Sequence, residues 1–131
     1  MRKLVAIVFS VVMVMACSQS QTPEQQAAEA ALSYYNRLLE GYPDGFMAGK
    51  VNFDSLPSDY RRQLVKATEQ YVADMESQHG GLQSVAISSN VGRSDSTLRL
   101  TYAFLLLSFR DSTQEEISVP MVERNGEWLM K

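Results

Sequence analysis

The chain has 131 residues, a formal net charge of −3, one cysteine and one histidine. One cysteine excludes an internal disulfide framework, and a mildly acidic balance excludes a binder of nucleic acid, whose affinity rests on neutralising phosphates. The length suits one compact domain rather than two.

The chain begins with basic Met1-Arg2-Lys3 and continues as an apolar run, Leu4 to Ala16, broken only by Ser10. A basic start followed by about 7–15 apolar residues is the pattern of a secretory signal peptide. The run is too short to span a bilayer, which takes roughly 20 apolar residues. It ends in Val14-Met15-Ala16-Cys17. That tetrad resembles a lipobox, the recognition site of the lipoprotein signal peptidase, with Met15 as its least typical position. The resemblance implies diacylglycerol on the Cys17 sulfur, cleavage before Cys17 and an acyl chain on the new amine. The organisation expected is a signal peptide over 1–16, a lipidated cysteine and tether over 17–21, and a single α+β domain over 22–131. The plainer reading of Cys17, a buried free thiol, fits poorly at the junction between an apolar run and the polar Ser18–Gln21.

Cleavage would remove Arg2 and Lys3 and move the formal charge from −3 to −5. No polybasic patch is left to hold anionic lipid, so the partner expected at the membrane is the lipid anchor at Cys17. The tether reaches about 15 Å when extended, which keeps the domain close to its membrane. Ser18 stands where an acidic residue favours inner-membrane retention in the enterobacterial sorting scheme. By that resemblance the expected address is the outer membrane, and the lack of an acidic cluster after Cys17, of the kind linked to surface export, favours its periplasmic face.

Thr22-Pro23-Glu24-Gln25 predicts a helix start, with Thr22 as cap, Pro23 in the first turn and Gln25 completing a capping box. An apolar stripe of Ala27, Ala31, Tyr34/Tyr35, Leu38 and Tyr42 follows, and Gly41 is the expected stop. Tyr42-Pro43-Asp44-Gly45 reads as a turn. Phe46 to Leu56 reads as a short helical turn and a loop packing over the domain. A second long helix is predicted over Pro57–His79, capped by Ser55 or Ser58, with a stripe of Tyr60, Leu64, Ala67, Tyr71 and Met75 widened by Val72. Its charged side is a solvated face. His79 suits the negative end of the helix dipole, and Gly80-Gly81 ends it.

From Leu82 the period changes to two. Strands are predicted over Leu82–Val91, Thr97–Phe109, Gln114–Glu123 and Glu127–Lys131. Turns fall at Gly92–Ser96, Arg110–Thr113 and Asn125-Gly126, the last a type I′ signal. Pro120 predicts an edge or bulge. The second strand is apolar on both faces after Thr101: Tyr102, Phe104 and Leu106 on one, Ala103, Leu105, Leu107 and Phe109 on the other. Such a strand is expected to be covered twice, by the helices on one side and by the Phe46–Phe53 loop, sheet curvature or a second subunit on the other.

Two helices, His79-Gly80-Gly81-Leu82, long hairpins and a closing Arg124-Asn125-Gly126-Glu127-Trp128, with Lys131, resemble the cone-shaped, cystatin-like fold of the nuclear transport factor two superfamily. More narrowly, they resemble its small bacterial lipoprotein domains. The resemblance implies an α+β fold with two N-terminal helices packed on a curved four-stranded antiparallel sheet, and a hollow at the open end of the cone near Tyr34, Tyr102, Phe104 and Trp128. Its enzymes use a carboxylate or histidine base beside a carbonyl-polarising Tyr or Asp. Those roles do not transfer here, since His79 ends a helix and Asp95 and Asp111 sit in turns. The expected function is a non-catalytic, lipid-anchored envelope module without cofactor or metal. It would bind a small apolar ligand or an envelope partner, or form a homodimer through the sheet face.

Overall fold

The computed structural model describes residues 21–131, so the signal peptide and Cys17 lie outside the described residues. The first helix, α1 (Pro23–Leu39), starts on the expected capping box. The Thr22 hydroxyl accepts the Gln25 amide at 3.1 Å, and the Gln25 side-chain carbonyl accepts the Thr22 amide at 3.0 Å. Both bonds satisfy donors that a helix start leaves open. Ala27, Ala28 and Ala31 are fully buried on its inner face, followed by Tyr34 and Leu38. Gly41, at φ +79°, lets the chain leave the helix in a left-handed turn.

The expected turn at Tyr42–Gly45 is instead the start of a short helix, α2 (Pro43–Met47). Pro43 occupies its first turn, and Arg37 of α1 donates to the Gly45 carbonyl at 2.9 Å. That bond holds α2 against α1. A single 3-10 turn, Phe53–Ser55, leads into the long α3 (Ser58–His79). Neither expected serine caps α3: its cap position is Pro57, without a side-chain bond.

The burial of α3 also departs from the expected stripe. Thr68 and Met75 are buried and Leu64, Val65 and Val72 half-buried, while Tyr60, Ala67 and Tyr71 are exposed. Thr68 can turn inward because its hydroxyl donates to the Leu64 carbonyl at 3.0 Å, which removes the cost of burying it. With Thr68 facing in, the tyrosines one helical face away are carried toward solvent.

The four strands form one antiparallel meander in the order β1-β2-β3-β4: Leu82–Asp95, Leu100–Phe109, Gln114–Arg124 and Glu127–Met130. The first strand runs four residues past its expected end, and the turn moves to Ser96–Arg99. The cause is an irregularity between Ile87, which pairs with Leu105, and Gly92, which pairs with Ala103. Three extra residues on β1 are looped out there, with Val91 at φ +61°. The bulge closes on Gly92, where a Cβ would sit 2.5 Å from the Tyr102 carbonyl oxygen. The glycine that reads as a turn is a close approach of two backbones within a strand pair.

Asn125 and Gly126 both have positive φ, 55° and 81°, as a type I′ turn requires. Pro120 lies on an inner strand, but its carbonyl accepts from Lys131 just past the last β3–β4 pair. Its missing N–H faces the same side, where β4 has run out, so locally it is an edge. The other side of β4 is closed by the segment before the 3-10 turn: Val51 donates to the Met130 carbonyl at 2.7 Å, and Met130 donates to Gly49 at 2.8 Å.

The helices cover one face of this sheet. Ala103, Leu105, Val119, Met121 and Met130 pack there against the α1 alanines, Tyr34, Phe46 and Met47. Met75 of α3 extends the core to Leu107 and Phe109. Burial alternates without exception along β2, from half-buried Leu100 to buried Phe109. One parity is core, and the other faces away from the helices.

Candidate functional site

The four residues expected to share a hollow are divided by the sheet. Tyr34 and Trp128 meet on the helix side, where the Tyr34 hydroxyl donates to the Trp128 carbonyl at 2.7 Å and the Trp128 indole donates to Gln26 at 3.1 Å. The Gly49 backbone lies so close to the Tyr34 ring that a Cβ would stand 2.5 Å from it. Burial, with the Glu127 carboxylate adding to it, pushes the Tyr34 hydroxyl above its ordinary pKa, and Arg37 opposes both. Tyr34 is thus a clamped core residue with its one polar atom satisfied. Tyr102 and Phe104 have the other parity on β2 and project from the outer face. The small Ala103 and the hydrogen-bonded Thr101 mark the helix-facing parity, a signal that becomes readable only with the α1 alanines and Ser94 packed against it. The Thr101 and Ser94 hydroxyls lie 3.1 Å apart, and Ser94 donates to Glu24 at 2.6 Å.

At the open end of the helix side there is a hollow of about 200 Å³ walled by Tyr35, Phe46, Met47, Val119, Pro120 and Met130, with Lys50 and Lys131 at its rim. Phe46 meets Tyr35 edge to face at 4.9 Å, and burial raises the Tyr35 hydroxyl well above its ordinary pKa. Lys50 donates to the Lys131 carbonyl at 3.2 Å. This hollow can take a small apolar group. Half of its wall, Tyr35, Phe46 and Met47, comes from a helix stripe and a stretch read as loop, and the other half from two strands, so no single period points to a common site.

The outer face carries an apolar strip along β2, Leu100, Tyr102, Phe104 and Leu106, each half-buried. Pro120 and Ser118 of β3 stand beside Tyr102 and Phe104. Arg93 of β1 lies over the Tyr102 ring at 5.2 Å. A polar bridge crosses the strip from Glu116, which pairs with Leu106: its carboxylate accepts from the Ser88 hydroxyl and, at 3.2 Å, from Asn90. Of the three covers considered for this face, the Phe46–Phe53 segment is not one, because Phe46 and Met47 are built into the core on the other side.

The single histidine joins two elements rather than lining a hollow. His79 Nδ1 is 2.9 Å from the Asp111 carboxylate, and its ring stacks on Phe109 with centroids 4.3 Å apart. The Asp111 amide donates to the His79 carbonyl at 3.1 Å, so the end of α3 is latched to the β2–β3 turn. Hydrogen bonds from Thr113, then from His79, hold the Asp111 carboxyl down at about 2 against an ordinary 3.8. A depressed folded pKa adds stability that is present above the unfolded value and lost as pH falls through the folded one. Asp111→Asn should therefore lower the urea midpoint at pH 6, and the gap to the wild type should close between pH 4 and about 2. A gap that stays constant with pH would remove Asp111 from the latch. Among the described residues no cluster of three or more His, Cys, Asp or Glu side chains could hold a metal ion, and no helix is long and apolar enough to cross a membrane.

No protein-family model matches this chain, and no curated protein matches it in sequence. Among solved structures, a Campylobacter jejuni protein named provisionally as an NTF2-like transpeptidase is similar to it, with a TM-score of 0.59 and 11% identity over 78% of this chain and 94% of that one. The fold is NTF2-like. At this identity the likeness extends to the fold and no further: NTF2-like folds serve enzymes and non-enzymes alike. The expected α+β architecture, helices on an open four-stranded antiparallel sheet, is the one observed.

Proposed function

We propose that this chain is a lipid-anchored, non-catalytic protein of the bacterial envelope that docks a second copy of itself on the outer face of its sheet. The observation that carries this reading is the apolar strip of Leu100, Tyr102, Phe104 and Leu106, which no described residue of the helices covers. A half-exposed apolar strip on a sheet face that the helices leave open is a surface that a second chain can bury. Facing sheets related by a two-fold axis bring the same strip together from both sides, which is the isologous arrangement of most dimers. A non-catalytic role agrees with the placement of His79 and Asp111 in a structural latch.

The test is sedimentation of the full chain, detergent-solubilised, as wild type and as Tyr102→Glu. Arg93 beside position 102 can pair with the new carboxylate, so the fold should survive while a charge enters the strip. The wild type should sediment as a dimer and the variant as a monomer with an unchanged circular dichroism spectrum. A monomeric wild type would rule the dimer out and leave the mouth hollow of Tyr35, Phe46 and Met130 to carry a second reading, a module for a small apolar ligand. That reading is checked by native mass spectrometry of the chain taken gently from its own envelope: a few hundred daltons of extra mass, lost on denaturation, is the expected sign.

A further inference from the structure

The sheet leaves one straight stretch of edge unpaired. β4 pairs with β3 only from Met121 to Arg124, and Lys131 takes the next position by donating to the Pro120 carbonyl at 2.9 Å. Before Pro120, residues 114–119 of β3 pair with β2 alone. Backbone groups alternate sides along a strand. Thr113 accepts from Phe109 of β2, while Pro120 accepts on the β4 side, so Gln114, Glu116 and Ser118 aim their N–H and C=O groups away from β2. Among the described residues no backbone group of another element bonds to them, and all three residues are exposed. The free edge of β1 differs, because the bulge before Gly92 breaks it, a common way of blunting an edge. Residues 114–119 contain no bulge, Pro or Lys, and such an edge is a template for one more strand.

Glu115 and Glu116 select that strand. Both are exposed, Glu115 with the helix-facing parity and Glu116 on the outer face. Glu116 accepts only from the neutral Ser88 and Asn90, and Glu115 has no ion pair among the described residues, so both charges stand uncompensated. A second copy pairing along the same edge would bring its own Glu115 and Glu116 beside these, and like charges across strands are destabilising. Basic side chains would meet both carboxylates favourably. We propose that residues 114–119 take up an extended basic segment of a partner protein as an added antiparallel strand, in line with β4. Its residues opposite Glu115 and Glu116 are cationic, and the one opposite half-buried Ile117 is apolar. The reading does not rest on the proposed dimer, which uses the outer face and not the edge.

The experiment is an NMR titration of the isotope-labelled full chain in zwitterionic lipid nanodiscs. The probe is the peptide acetyl-Val-Thr-Val-Lys-Lys-Thr-amide, ordered to run antiparallel from Val119 to Gln114. Without peptide, the Glu116 and Ser118 amides should exchange fast with water, and those of Glu115 and Ile117, which face β2, slowly. At saturation the peptide should slow exchange at Glu116 and Ser118 at least about tenfold and leave Glu115 and Ile117 little changed. A peptide with glutamates for both lysines, and one N-methylated at the residues facing Ser118 and Glu116, should each bind at least about fivefold more weakly. Glu115→Lys should weaken the basic peptide by a similar factor. If that variant loses its dispersed spectrum, the three peptides on the wild type decide. Slow exchange at Glu116 and Ser118 before any peptide is added would overturn the proposal, since the edge would already be covered. Equal binding of either control peptide, no saturable change, or an unchanged titration of the folded variant would each overturn it as well.

Discussion

Leu105→Ala should cost the domain about 3 kcal/mol, and Leu106→Ala, the next residue, about 1 kcal/mol or less. The two leucines share a strand and differ only in parity. Leu105 is fully buried between α1 and the neighbouring strands, while Leu106 is half-buried on the outer face. Truncating Leu105 removes transfer free energy and opens a cavity among residues such as Ala31 and Met121 that are themselves at 0% exposure, so little can relax into it. Against a typical total of about 5–15 kcal/mol, the loss is large. It should appear as a fall of roughly 10–20 °C in melting temperature. Thermal unfolding of both variants, in dilute solution where the chain is monomeric, checks the pair. Equal losses at the two positions would mean that both faces of β2 are enclosed in the monomer, and the docking proposal would lose its basis.

Cys17→Ser is expected to abolish lipidation outright. The wild-type chain should incorporate labelled palmitate, partition into detergent and have the mass of a polypeptide starting at Cys17. The variant should show no label and keep residues 1–16. Label retained by the serine variant would disprove the lipobox reading and, with it, the proposed address.

Much of the fold was legible because local signals agreed with one another. The Thr22–Gln25 capping box, the Gly80 stop, the change from a helical period to a period of two at Leu82, and Asn125-Gly126 each state a backbone geometry within a few residues. What failed locally also has a local cause. Gly92 reads as a turn because glycine is ambiguous between a turn and a close backbone approach, and only the Tyr102 carbonyl opposite it decides. Tyr42–Gly45 reads as a turn because the Arg37 bond that holds the chain there as a helix comes from another element.

The candidate site was less legible, since a hollow is a property of several elements at once. Tyr34, Tyr102, Phe104 and Trp128 are alike in composition, but the sheet plane runs between them. The mouth hollow draws its wall from Tyr35 of a helix, from Phe46 and Met47 in a stretch read as a helical turn and loop, and from Val119 and Met130 of two strands.

The sequence by itself determined the two long helices, the four strands, the α+β class and the two apolar faces of the second strand, because capping, turn chemistry and periodicity act between residues a few positions apart. Only the tertiary structure decided which face the helices take. The Ala27–Ala28–Ala31 surface of α1 can approach a sheet closely only where the sheet also presents a small side chain, and Ala103 is that residue. This match of small against small sends Leu105 inward and Tyr102 and Phe104 outward.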